Sequence, residues 1–195
     1  DEGHISKEHI LEQCNNDKVI GIGETGLDYF YENSKRDIQI KSLYKHIEVS
    51  KKTNLPLAGG ESCHSIESAK NMIRFGKVKF IQIDAGIAGG IIAGKEICDF
   101  AENCDVQYVN HTFTSHLQLS ASLQPYANSS KSFFAEFPQQ LKPLAWDLTD
   151  NHITLDENGN INLPEEIGHG MKINQKALGQ YKVDVDIYNN KEKIF

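Results

Sequence analysis

The sequence predicts an α/β fold, a parallel sheet of about five strands joined by crossover helices and followed by a C-terminal hairpin segment. Three observations predict it. Short β-branched runs alternate with amphipathic stretches as far as Phe137. The connections between them are short. Beyond position 146 the alternation stops, and Asn158-Gly159 stands between Ile153-Thr154-Leu155 and Ile161-Asn162-Leu163, a strong hairpin signal.

The elements follow in order. Lys18 to Gly23 reads as a buried strand through Val19, Ile20 and Ile22. Ser34 is placed to cap a helix over Lys35 to Lys52, where Ile38, Leu43, Ile47 and Val49 recur among charges. Asn54-Leu55-Pro56 ends that helix and opens a short strand to Ala58. Ser65 caps a helix to Phe75, and Gly76 stops it. Val78 to Ile83 is a strand. Gly86, Gly89 and Gly90 form a loop before a helix from Ile91 to Glu102. Val106 to Val109 is the fourth strand, Ser115 to Leu123 a helix, and Phe133 to Phe137 the fifth strand. A short helix follows Asn174, and the polar tail Tyr188 to Phe195 reads as frayed. Three segments result: 1–56, 57–145 and 146–195.

Composition narrows the function. Of 195 residues, 39% are hydrophobic and 24% charged, enough for a packed core. A net charge of −7 argues against a nucleic-acid-coating protein. No apolar run approaches the roughly 18 residues of a membrane span. The polar start, Asp1-Glu2-Gly3-His4, shows no signal peptide. Cys14, Cys63, Cys98 and Cys104 form no Cys-x-x-Cys pair and read as reduced cysteines, so a cytoplasmic protein is expected.

Chemistry is sought at the carboxyl ends of parallel strands, which open on one face. Those ends carry Glu24, Glu61, Asp84, His111 and Glu136. If their strands are neighbours, Asp84 and His111 lie about 5 Å apart. A carboxylate there would fix the imidazole tautomer and make a general base. A hydrogen-bonded rim histidine is the alternative. Glu61 and Glu24 are hard oxygen donors suited to Mg²⁺, or else solvated loop acids. Glu136, in an aromatic run, could be a neutral acid that hydrogen-bonds an oxyanion. His116 reads as a helix-start residue; His4, His9, His46, His64, His152 and His169 read as surface. The glycines at 86–90 lack GxGxxG spacing, and Ser62 and Ser65 lack a nucleophile elbow. Asp156, Asn158 and Asn160 mimic a calcium loop, but Ile161 and Ile167 stand where it needs Gly and Glu.

From about Leu57 to Ile187 the chain resembles the C-terminal barrel half of the enolase superfamily, in its mandelate racemase/muconate lactonizing branch. The motifs are Leu-Pro-Leu-Ala-Gly-Gly-Glu at 55–61, Ile-Gln-Ile-Asp-Ala-Gly-Ile-Ala-Gly-Gly-Ile at 81–91, Asn110-His111-Thr112-Phe113 and Phe134-Ala135-Glu136-Phe137. Asn160-Ile161-Asn162-Leu163-Pro164 and Gly168-His169-Gly170 follow in family order. The resemblance implies a partial (βα) TIM-type barrel. It implies that Glu61 is the last of three Mg²⁺-binding carboxylates. Asp84 and His111 would be the dyad that moves a proton alpha to a carboxylate, and Glu136 the acid supporting the enolate. Lys18 to Pro56 is similar to TatD-type metal-dependent deoxyribonucleases through Val-Ile-Gly-Ile-Gly-Glu-Thr-Gly-Leu-Asp-Tyr-Phe-Tyr at 19–31, in which Glu24 would bind metal.

Three readings follow. The first is a Mg²⁺-dependent lyase or isomerase acting on an acid sugar or hydroxy acid, with dehydration ahead of racemization. The second is a TatD-like metal-dependent hydrolase of DNA. The enolase pattern's Lys-x-Lys strand and first two metal carboxylates have no counterpart here, so the third is a non-catalytic barrel fragment whose exposed sheet edges pair with a partner. The expected partner is a small-molecule carboxylate, with a second copy of the chain able to complete the barrel.

Overall fold

Residues 5–193 are described by the computed structural model, except positions 20, 23, 24, 32, 128, 130, 132, 184, 186, 187, 190 and 191. Helix α1 (Lys7–Gln13) is capped by the Ser6 hydroxyl, which accepts from His9 N. It packs on α2 (Arg36–Thr53), with Lys7 paired to Glu48 and Lys45 Nζ donating to Ile5 O at 3.1 Å. The sequence reading passed over α1. It also misplaced the start of α2: Lys35, not Ser34, holds the N-cap position and makes no side-chain cap bond. Gln39 explains this, because its Nε2 donates to Ser34 O at 2.8 Å and to Asp28 O at 2.7 Å, tying the preceding loop to the helix.

The centre is a parallel sheet in the order β1 (Ala58–Gly59), β2, β3. Helix α3 (Ile66–Gly76) connects β1 to β2 (Phe80–Ile83), and its N-terminus is a reciprocal capping box between Ser65 and Ser68. A one-turn helix α4 (Ala85–Ala88) and then α5 (Ile91–Asn103) connect β2 to β3 (Gln107–Asn110). Helix α6 (His116–Leu123) follows, capped by Ser115. The register runs Ala58↔Phe80, Gly59↔Ile81, then Phe80↔Gln107 through Ile83↔Asn110. Alternation along β2 sends Ile81 and Ile83 into a core with Ala69, Ile73, Ile97, Ala101, Tyr108 and Leu119 from the helices and β3. Gly60 (φ 126°) turns the chain off β1; a Cβ there would lie 2.6 Å from Ile81 Cδ1 and 2.9 Å from Gln82 O.

About five parallel strands were expected, and the described residues ladder three. Ile22 bridges Leu57 in parallel, so the first expected strand reaches the sheet at one described residue. Phe133 to Phe137 joins no ladder among the described residues. Side-chain amides take the ladder's place. Asn110 Nδ2 donates to Glu136 O at 3.0 Å, Glu136 N donates to Asn110 Oδ1 at 3.1 Å, and Gln107 Nε2 donates to Lys131 O at 3.0 Å.

The C-terminal segment opens with α7 (Pro143–Asp147) and closes on α8 (Gln175–Tyr181), tied by Tyr181 Oη donating to Asp147 Oδ2 at 2.6 Å. The short helix expected after Asn174 is α8, and Asn174 caps it. The expected hairpin is a single antiparallel bridge, Leu155↔Ile161. Its turn is organised by Asp156 Oδ1, which accepts from Asn158 N and Asn160 N at 2.8 Å. That use of the carboxylate accounts for the calcium-like spacing. In the tail, read as frayed, β4 (Tyr188–Asn189) pairs antiparallel with β5 (Glu192–Lys193). All four cysteines are free. Among the described residues no helix is long and apolar enough to cross a membrane.

Candidate active site

The register places the site. Ile83 and Asn110 are the last paired residues of β2 and β3, so Asp84 and His111 are the next on each strand. One more backbone bond, His111 N to Ile83 O at 2.9 Å, keeps them level. His111 Nδ1 lies 3.6 Å from Asp84 Oδ2, and His111 Nε2 lies 3.4 Å from Glu61 Oε2. The imidazole is therefore held between two carboxylates from the ends of two other strands. Phe113 meets its ring edge-on at 5.5 Å between centroids.

The two carboxylates differ in surroundings. Asp84 is 1% exposed and Glu61 49% exposed, with His111 between them at 17%. Asp84 Oδ1 caps α4, accepting from Ile87 N at 3.2 Å, and accepts a second bond from Gln118 Nε2. Oδ2 is left facing His111. Burial works to raise the Asp84 pKa, but the imidazole and the N–H donors of Ile87, Gly86 and Gln118 outweigh it, so the carboxyl lies below its usual range. His111 moves the other way. The Asp84 carboxylate raises its pKa most; burial opposes this, and the charges of Glu136, Glu61 and Asp84 add to the rise. At 3.6 Å the pair is an ionic contact, about 0.5 Å longer than a formed hydrogen bond.

Glu136 comes to the same end of the sheet. Its backbone is strapped to Asn110, and its carboxylate accepts from Gln82 Nε2 on β2. Four of the five strand-end residues singled out in the sequence thus converge: Glu61, Asp84, His111 and Glu136. The fifth, Glu24, lies outside the described residues. Gln82 and Gln118 were missed. The signal for Gln118 is a long amide on an otherwise small and apolar helix, His-Leu-Gln-Leu-Ser-Ala-Ser-Leu. His116 starts α6 as read, but it is buried, with Nδ1 accepting from Ile153 N at 3.2 Å. His46, read as surface, is buried in α2 with Nδ1 2.8 Å from Ser42 O.

The Mg²⁺ implied by the family resemblance finds little here. Among the described residues no group of three or more His, Cys, Asp or Glu side chains is arranged to hold a metal ion. Glu61 meets the imidazole of His111, a ring whose raised pKa favours the cation, where a dication would want oxygen ligands or water. The described donor set does not fit a metal centre.

Comparison with known proteins places this geometry in context. The enolase C-terminal domain-like family model matches residues 38–177. The match begins inside segment 1–56. A D-galactarolactone cycloisomerase of Agrobacterium fabrum is 26% identical over 170 residues, which is 81% of this chain and 43% of that protein. The crystal structure of a predicted mandelate racemase from Rhodobacter sphaeroides superposes with a TM-score of 0.71 at 31% identity, over 80% of this chain and 46% of that one. The chain therefore spans less than half the length of these two relatives. An uncharacterized metal-dependent hydrolase of Bacillus subtilis, YabD, is 42% identical over 48 residues, 25% of this chain and 19% of that protein.

Proposed function

Because the chain belongs to the enolase C-terminal domain-like family, we propose that it carries the proton-transfer half of an acid-sugar lyase or isomerase site, with His111 as the base. The observation supporting this most directly is His111 held between Asp84 at 3.6 Å and Glu61 at 3.4 Å on adjoining strand ends. Asp84 at Nδ1 selects the tautomer whose Nε2 carries the lone pair. That lone pair takes the proton alpha to the substrate carboxylate, and the C–H electron pair becomes an ene-diolate. In dehydration, favoured over racemization, the ene-diolate expels the β-hydroxyl. The hydroxyl leaves as water after receiving a proton, for which the His111 imidazolium is the acid within reach. The enol left behind tautomerises to an α-keto acid. Glu136, anchored by Gln82 and Asn110, is the group proposed to support the enolate.

The test is exchange of the alpha proton in D₂O across a panel of acid sugars, with and without added Mg²⁺. Exchange by the parent chain, reduced by about 10²–10⁴-fold in His111→Ala, supports the reading. No exchange with any acid sugar overturns it, and release of nucleotides from DNA in its place would favour the hydrolase reading.

A further inference from the structure

We propose that Gln118 is a positioning residue for the pair at the sheet end: its amide holds the Asp84 carboxylate so that Oδ2 receives Nδ1–H of His111. The inference deepens the reading of His111 as a base, and only its kinetic test rests on that reading.

Three observations carry it. First, the amide has one chemically sensible orientation. An ionised Asp84 can only accept, so the Gln118 group facing Oδ1 is the NH₂. That leaves Oε1 toward Thr114, whose hydroxyl donates to it at 2.6 Å. The chain of contacts therefore has a direction, from Thr114 through Gln118 and Asp84 to His111. Second, Gln118 is fixed at its own base, because its backbone N–H donates to the capping hydroxyl of Ser115 at 3.3 Å. Its side chain starts from an anchored helix terminus. Third, the neighbouring backbone leaves room for the amide at Gly86. A Cβ there would lie 2.8 Å from Gln118 Nε2 and 3.2 Å from Asp84 Oδ1.

The backbone donors Ile87 N and Gly86 N both belong to the one-turn helix α4, and rotation about the Asp Cβ–Cγ bond is soft. A further donor on Oδ1, from a different helix, removes that freedom. Among the described residues Oδ2 then faces His111 Nδ1 and makes no other hydrogen bond, and His111 Nδ1 has no closer partner. Gln118 thus acts on Nδ1 through the Asp84 carboxylate, against Glu61, which faces Nε2 at 3.4 Å.

The test is ¹⁵N NMR of the full chain labelled at histidine, in buffer alkaline enough to keep the imidazole neutral. His111 is expected as the Nδ1–H tautomer in the parent chain. In Gln118→Leu, with the far-UV spectrum and unfolding midpoint checking the fold, a large Nε2–H population should appear. In parallel, kcat for alpha-proton exchange should fall on the order of tenfold with KM little changed. A folded Gln118→Leu that keeps the parent tautomer overturns the proposal, as does a parent chain already in the Nε2–H form. If Gln118→Leu does not fold, Thr114→Val is read the same way: a shift in the same direction supports the proposal and an unchanged tautomer overturns it. A parent chain with no exchange activity sinks the functional reading, while the tautomer measurement still decides the role of Gln118.

Discussion

Replacing Asn110 with Leu should detach the segment carrying Glu136 from the sheet. Asn110 is fully buried, and its amide makes both bonds a strand neighbour would make, donating to Glu136 O at 3.0 Å and accepting from Glu136 N at 3.1 Å. Leu keeps the branched shape, somewhat enlarged, and removes both. Each bond is worth about 1 kcal/mol net, and stranding the half-buried groups of residue 136 adds a further cost of about 1 kcal/mol, since water repairs part of the loss. The expected destabilisation is about 2–4 kcal/mol, or about 5–10 °C in unfolding temperature for a chain of this size. Urea denaturation followed by circular dichroism measures the first quantity. Hydrogen exchange at the Glu136 amide locates it: protection should collapse there and persist at Ile81 and Ile83. A loss under about 0.5 kcal/mol, with Glu136 still protected, would refute the idea that a side chain substitutes for the ladder.

Two further outcomes are expected. His111 has its pKa raised above the ordinary 6.5, so its contribution to stability is complete below that value and is lost as pH rises through the folded-state pKa. Asp84, lowered from 3.8, contributes above that value and loses its contribution as pH falls through its folded-state pKa. Asp84→Asn should therefore lower the His111 titration midpoint seen by NMR and flatten the decline of stability above pH 6.5; an unchanged slope would contradict the pairing. Comparing variant with parent also cancels His116, whose pKa burial pushes the other way. Gly94→Ala should destabilise by about 1–2 kcal/mol in thermal unfolding despite better helix propensity, because overpacking outweighs the propensity gain. The new Cβ would lie 2.8 Å from Pro125 Cγ, part of a rigid ring, and 3.2 Å from Tyr108 Oη. Equal or greater stability would show that the contact between α5 and the 124–126 turn yields easily.

Local signals in the sequence were read well where one residue decides the outcome. Ser65 caps the helix it was expected to cap, and helices begin at Ser115 and after Asn174 as expected, each residue serving as the cap. The pairing of Asp84 with His111 was legible because parallel strands of equal register bring their ends level. Where tertiary partners decide, the sequence was silent. Ser34 lost its cap because the Gln39 side chain claims its carbonyl from within the helix. The glycines at 86–90 looked like a loop, yet Asp84 nucleates a helical turn there. Phe133 to Phe137 has strand composition but joins no ladder among the described residues; the amide of Asn110 bonds its Glu136 backbone in place of a neighbouring strand. Gln118 stands out only as a long amide on its helix, and what it does depends on a carboxylate 34 residues away.

The register of β2 against β3 has a consequence for folding fidelity. Ile83↔Asn110 is the rung directly below Asp84 and His111. A slip of one residue would set His111 beside Ile83 and turn alternate side chains to the opposite face. It would also expose Ile81 and Ile83, both fully buried in the correct pairing. The same alignment that buries the hydrophobic residues assembles the acid–imidazole pair, so a mispaired chain is both unstable and chemically blank. The state of His111 is therefore a reporter of correct strand alignment, readable on any variant of this chain without a substrate.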